Sequence, residues 1–186
     1  MKKTLGLDVS TSVVGITILE NLSDELPNLL DHIELSKCKD IWEKADTVKE
    51  KLQSIKSNVD YADISNIFIE EALLGFRTGM SSAATITTLV RFNGIVSYIA
   101  RDCFGFQPQL LSAATARRMC GFKLHKTAVA GPQKDQVFKL VTESFLKDVK
   151  WQLKKNGQPK DWSKDVVDSY VIARAGYMIQ EQQNKL

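Results

Sequence analysis

Two short runs of apolar and β-branched residues open the chain, at 4–8 and 13–19, separated by Val9-Ser10-Thr11-Ser12. This pattern predicts two adjacent strands joined by a tight turn. Gly6 and Gly15 interrupt the runs where a close backbone approach or a bulge is needed. A loop with Pro27 follows, then a weaker third strand at 32–35. Ile41, Ala45, Val48, Leu52 and Ile55 recur at helical spacing and predict an amphipathic helix with a charged outer face. A buried strand at 66–70 ends on Glu70 and Glu71 and leads into a glycine-bearing loop, LLGFRTGMSS.

Residues 82–100 are small and apolar and predict a second long helix, with Arg91 and Arg101 near its end. The stretch 106–111 reads as a strand, and Pro108 suits it to an edge. Ser112 is a suitable cap for a short helix carrying Arg117 and Arg118. Residues 122–130 read as loop. Pro132 opens a further helix through Val137, Leu140, Val141 and Phe145. The lysine-rich stretch 147–164 reads as a hairpin or an ordered insertion around Asn156-Gly157-Gln158-Pro159. A last helix runs from about Ser163 to about Gln180. This order is α/β and requires a mixed sheet, because short turns join the first strands and helical crossovers join the later ones.

With 186 residues the chain suits one well-filled domain. Its 44% hydrophobic and 25% charged residues are those of an ordinary globular protein. Cys38, Cys103 and Cys120 share no close spacing, which argues against a zinc pattern and favours a reduced, intracellular compartment. No apolar run is long enough to span a bilayer, and Asp8 with Ser10 and Ser12 falls where a signal peptide would be greasy. The net charge of +3 hides an asymmetry. Positions 20–71 hold 13 acids and 6 bases, whereas 77–164 hold 15 bases and 5 acids. Such a basic half either presents a positive surface to a polyanion or consists of solvated helix faces.

The chemistry-bearing signal is a set of misplaced acids. Asp8 interrupts LGLDVSTSVVGITIL, Glu70 and Glu71 close IFIEE, and Asp165 and Asp168 sit in the nearly uncharged KDVVDSYVIARAGYMI. An acid in such a segment costs several kcal/mol unless something pairs with it. Each has a plainer reading alone: Asp8 as a turn stabiliser, Glu70 or Glu71 as a strand end at the surface, the D-x-x-D pair as a solvated first turn. Together they suggest convergence. Parallel neighbouring strands would bring Asp8 and Glu70 to one sheet edge, where open α/β sheets bind ligands. The i,i+3 spacing points Asp165 and Asp168 from one helix face, on a stripe continuing through Ile172 and Ala175. Hard carboxylate oxygens suit Mg²⁺. Two such ions about 4 Å apart support in-line phosphoryl displacement. Without cations the acids repel one another, so the site is expected to be loose until metal binds.

On these residues the chain resembles the RuvC-type Holliday-junction resolvases of the RNase H-like superfamily. LGLDVSTSVVG looks like the family's opening strand and turn, with Asp8 in the catalytic place. FIEEAL looks like the strand that delivers the glutamate, Glu70; GPQKDQVFKLV resembles the segment that brings a lysine, Lys134, to the scissile phosphate; DVVDSYVIA resembles the closing helix with Asp165 and Asp168. The resemblance runs through nearly the whole chain. It implies an RNase H-like fold with a mixed five-stranded sheet flanked by helices, and one nuclease domain over 1–186 with a basic insertion at about 147–164. It also implies a homodimer and Mg²⁺-dependent nicking of a four-way DNA junction, two ions per site, with Mn²⁺ able to substitute. Arg77, Arg91, Arg117, Arg118 and Lys123 are then candidate phosphate contacts. Two departures stand out. Leu73 lies close to where the family often has an aromatic residue, Phe76 being the nearest, and 147–164 looks like an insertion before the last helix. Both suit a divergent member, with viral or organellar origin open. Other readings are an RNase H-like nuclease for flaps, other branched DNA or RNA-containing substrates, a sugar-kinase-like or actin-like fragment, and a non-catalytic DNA-binding module. His32 and His125 have no assigned role.

Overall fold

The two opening runs become β1 (Lys3–Val9) and β2 (Val13–Leu19), paired antiparallel with Asp8 opposite Gly15. In this computed structural model, which describes residues 2–22, 26–61, 63–72, 82–125 and 131–184, the connecting turn is closed by Ser10. Its hydroxyl donates to the Val13 carbonyl at 2.8 Å and accepts from the Val13 and Ser12 amides at 3.0 and 3.3 Å. β3 (Leu29–Glu34) lies along β2 from Ile18 to Val13, so it starts earlier than its β-rich centre suggests. α1 (Ile41–Ser57) is capped by Asp40, which accepts from the Trp42 and Glu43 amides, and it buries the predicted stripe from Ala45 to Ile55.

β4 (Ile64–Glu70) runs parallel to β1 with Leu7 beside Ile69, which sends the next residues, Asp8 and Glu70, off the same sheet edge. α2 (Ala83–Phe104) starts at the Ser82 cap and runs to Gly105, whose φ of 84° ends it four residues later than predicted. β5 (Gln109–Leu111) pairs parallel with β4 at the sheet margin. It is shorter than the expected 106–111 because Pro108 has no N–H to give to a ladder. α3 (Ala113–Met119) is capped by Ser112, α4 (Gln133–Ser144) follows Pro132, and α5 (Trp162–Gln183) closes the chain. The five-stranded sheet has the order β3-β2-β1-β4-β5.

Strand alternation sorts the core into two layers. Leu5, Leu7, Ile67 and Ile69 pack with Val48 and Leu52 of α1 and with Phe92 and Val96 of α2. On the other face, Phe68 and Leu111 pack with Val137 and Val141 of α4 and with Val167 and Val171 of α5. α5 presses close on this second face. A β-carbon on Gly6 would lie 2.5 Å from the Ser169 carbonyl oxygen, and one on Gly15 would collide with the carbonyl of Asp165. The Thr17 and Ser169 hydroxyls, bonded at 2.8 Å in the core, fix the helix rotation. These glycines set the height of α5 over the sheet, and with it the height of the two aspartates. Gly15→Ala therefore forces the first turn of α5 outward and is expected to cost about 1–3 kcal/mol, as overpacking does. Urea unfolding measures this, and an unchanged midpoint would show that α5 does not rest on Gly15.

Candidate active site

The sheet edge and the first turns of α5 bring four of the predicted acids together. Asp8 at the end of β1 and Asp168 in α5 are buried; Glu70 and Asp165 are half-buried. Between them reaches Lys134, in the first turn of α4. Its ammonium donates to Asp165 Oδ1 at 2.7 Å and lies 3.3 Å from Asp168 Oδ2 and 4.0 Å from Asp8 Oδ2. On the other side Arg117 of α3 approaches Asp168 Oδ1 at 3.7 Å. Asn93 of α2 donates to the Glu70 carbonyl at 2.8 Å and holds the end of β4. Glu71, one residue on, is exposed, with its amide given to the Leu111 carbonyl.

The electrostatics are those of crowded acids short of positive charge. Burial, then the neighbouring Glu70 and Asp168, pushes Asp8 well above the ordinary carboxyl range, with Lys134 working against the shift. Burial and Asp168 push Glu70 up to about 7, opposed by Arg117 and Lys134. Burial also raises Asp168, although Lys134 and Arg117 pull it down. Burial disfavours the charge on Lys134, but Asp8, Asp168 and Asp165 outweigh it and hold the ammonium protonated. The site expected to be loose is thus bridged by a resident cation.

This has a pH consequence. Glu70 is raised from 4.5 to about 7, so the metal-free folded chain holds a proton there that the unfolded chain releases. Its contribution to stability is therefore present below about 4.5 and is lost as pH rises through about 7. Thermal unfolding in chelator across that window is expected to show a falling midpoint in the parent and a flatter one in Glu70→Gln.

Among the described residues no three His, Cys, Asp or Glu side chains enclose a metal-sized gap as they stand. The donor chemistry nevertheless fits a hard divalent ion: carboxylate oxygens from β1, β4 and α5, an excess of negative charge, and a centre already filled by a cation. Burial raises the Cys120 thiol to about 11, which disfavours its thiolate.

The other predicted basic residues separate. Arg118 and Lys123 join Arg117, Phe122 and Gln133 around a cavity of about 400 Å³ beside the acids. Arg91 is exposed on α2, in the opposite helical layer, where it lines a groove with Trp42 and Tyr98. Arg77, Leu73 and Phe76 lie outside the described residues. Sequence reasoning did not find the Arg117–Asp168 pair, the Lys164–Asp135 ion pair between α5 and α4, or the stacking of His32 on Trp162 at 3.9 Å. Each joins elements far apart in the chain, and no spacing signals it. His125 sits in a loop held by Gln136, which accepts from its amide and donates to its carbonyl. No helix among the described residues is long and apolar enough to cross a membrane.

No protein-family model matches the sequence, and no curated protein matches it. Solved structures do match. RuvC of T. thermophilus in complex with a Holliday junction substrate superposes with a TM-score of 0.65 at 11% identity, over 97% of this chain and 96% of that one. A second Thermus thermophilus RuvC structure gives 0.59 at 11% identity over the same shares. At that identity the likeness is one of backbone, over 97% of this chain. The chain therefore has the RuvC form of the RNase H-like fold.

Proposed function

We propose that this chain is a structure-selective endonuclease that resolves four-way DNA junctions by paired nicks dependent on a divalent metal. The observation that carries the reading is the meeting of Asp8, Asp165 and Asp168 around one ammonium group, with Glu70 near enough to shift and be shifted by their charges, on a fold shared with a protein solved on a Holliday junction. Asp8, Glu70, Asp165 and Asp168 would hold Mg²⁺, two ions per site, with Mn²⁺ as a substitute. When bound there, the ion would supply Lewis acidity for an in-line displacement at phosphorus.

The chain's own groups do the rest. Arg117 orients Asp168. Lys134, once released from the carboxylates, remains within reach of a phosphate at the same point and offsets the charge that builds on it. Arg118 and Lys123 bind flanking phosphates in the adjoining cavity, giving affinity without sequence preference. Residues 1–186 act as one nuclease domain. Two copies related by a two-fold axis supply the two cuts, since fixed paired sites match the symmetry of a junction.

Incubation with a mobile and an immobile junction, with and without Mg²⁺, tests the proposal when nicks are mapped on all four strands. Symmetric nicks on one opposed pair of strands, only with Mg²⁺, are expected. Cleavage of flaps or RNA–DNA hybrids in preference to either junction would transfer the site to a different substrate class.

A further inference from the structure

The segment between α4 and α5 is the most basic stretch of the chain that the proposed chemistry does not use. Residues 147–164 hold 6 lysines and 2 aspartates. They are not a loose tail. Leu153 and Pro159 form an antiparallel bridge, and the Lys154 amide donates to the Gln158 carbonyl at 2.7 Å. The Lys160 amide donates to the Gln152 carbonyl at 2.9 Å, and Gly157, with φ of 79°, closes the tip. Trp151 anchors one arm against Phe138 of α4 with ring centroids 5.6 Å apart. Lys154 and Asp161 tie the base at 2.6 Å.

The placement is specific. The hairpin runs directly into α5, where Lys164 pairs with Asp135 of α4. That pair is the sequence neighbour, in both helices, of the Lys134–Asp165 contact in the acid cluster. Lys150, Lys155 and Lys160 are exposed, and none of them forms an ion pair among the described residues. Of the segment's acids, Asp161 is taken by Lys154. Solvated lysines on a surface helix usually alternate with acids that balance them; here Asp148 is the one acid of the segment left for three exposed lysines on a backbone held by the bridge and the anchor.

We infer that the 150–160 hairpin is a duplex-gripping arm: Lys150, Lys155 and Lys160 bind backbone phosphates of the double-stranded DNA that leads away from the acid cluster past α4 and α5. The inference rests on the proposed nuclease reading for its ligand. Such contacts neutralise phosphates and release counterions, so each lysine adds about 0.9 to the salt dependence of binding on a log–log plot. They carry no sequence information, and they hold the duplex arm in register with the carboxylates.

The test uses the full chain carrying Asp8→Asn, so that DNA is bound and not cut. Fluorescence anisotropy measures binding to a four-way junction and to the duplex of one arm across a salt series. The same series is run with Lys150, Lys155 and Lys160 all changed to Gln, and with all three changed to Arg. The Gln variant is expected to lower the slope by roughly 2 to 3, and the Arg variant to keep the parent slope. Near-UV circular dichroism confirms that Trp151 and Trp162 remain packed in both. Parent-like slopes in both variants, with DNA still bound, would overturn the arm and leave the nuclease reading standing. No salt-dependent binding of either DNA by the Asp8→Asn chain would overturn both.

Discussion

Asp8→Asn is expected to abolish junction cleavage, by roughly 10³-fold or more, while raising the stability of the metal-free protein. The two effects have one cause. Asp8 is buried, and its carboxyl is pushed up by burial and by Glu70 and Asp168. Its charge therefore works against folding, and a neutral side chain of the same shape relieves that cost, by about 1–3 kcal/mol at pH 8. The same charge is what a divalent ion would need. Losing a ligand that contributes about 4 kcal/mol in the transition state gives the stated loss of rate. DNA binding stays at or above the parent level, because one negative group near the phosphates is gone. A carboxylate retained for structure gives the opposite stability result. Denaturation in chelator, beside junction cleavage and anisotropy, therefore separates the two roles: a destabilised Asn variant that still cuts would remove Asp8 from the site.

Lys134→Met is expected to act in the other direction. The ammonium now compensates Asp165, Asp168 and Asp8 together, and its removal leaves those acids without their main partner. Breaking a fully buried pair costs about 3–5 kcal/mol; about 1–3 kcal/mol is appropriate here because the lysine side chain is 42% exposed and partly screened. The deficit should be reversible by metal. On the proposed reading, Mg²⁺ binding to the parent would require the ammonium to move aside, whereas the Met variant would offer the same oxygens with no competitor. The thermal shift produced by Mg²⁺ is thus expected to be larger in the variant, even though cleavage is slower for want of the lysine at the phosphate. Equal Mg²⁺ shifts in the two proteins would mean that Lys134 and the metal do not compete for one place.

Much of this site was legible in the sequence because ionised side chains in apolar segments are costly. Asp8 in the first strand, Glu70 at the end of IFIEE and the D-x-x-D pair announce themselves by context, and the parallel pairing of β1 with β4 converts that context into proximity. Gly6 and Gly15 signalled a close approach, but only the packed helix identifies its object as α5. Lys134 was reached by resemblance alone, since a lysine in a first helical turn looks like a solvated one. Arg117 was read as a phosphate contact; its approach to Asp168 depends on how α3 crosses α5, which no local pattern encodes. Strand ends were misjudged where pairing decided them. β3 gained residues because β2 offers partners back to Ile18, and β5 lost them to Pro108.

The most direct measurement is an anomalous difference map from crystals soaked in Mn²⁺. Density is expected among Asp8, Glu70, Asp165 and Asp168, with the Lys134 ammonium withdrawn from its 2.7 Å contact with Asp165. Crystals that take up Mn²⁺ elsewhere, and keep Lys134 seated between unliganded carboxylates, would contradict the convergence of these acids on a shared metal site.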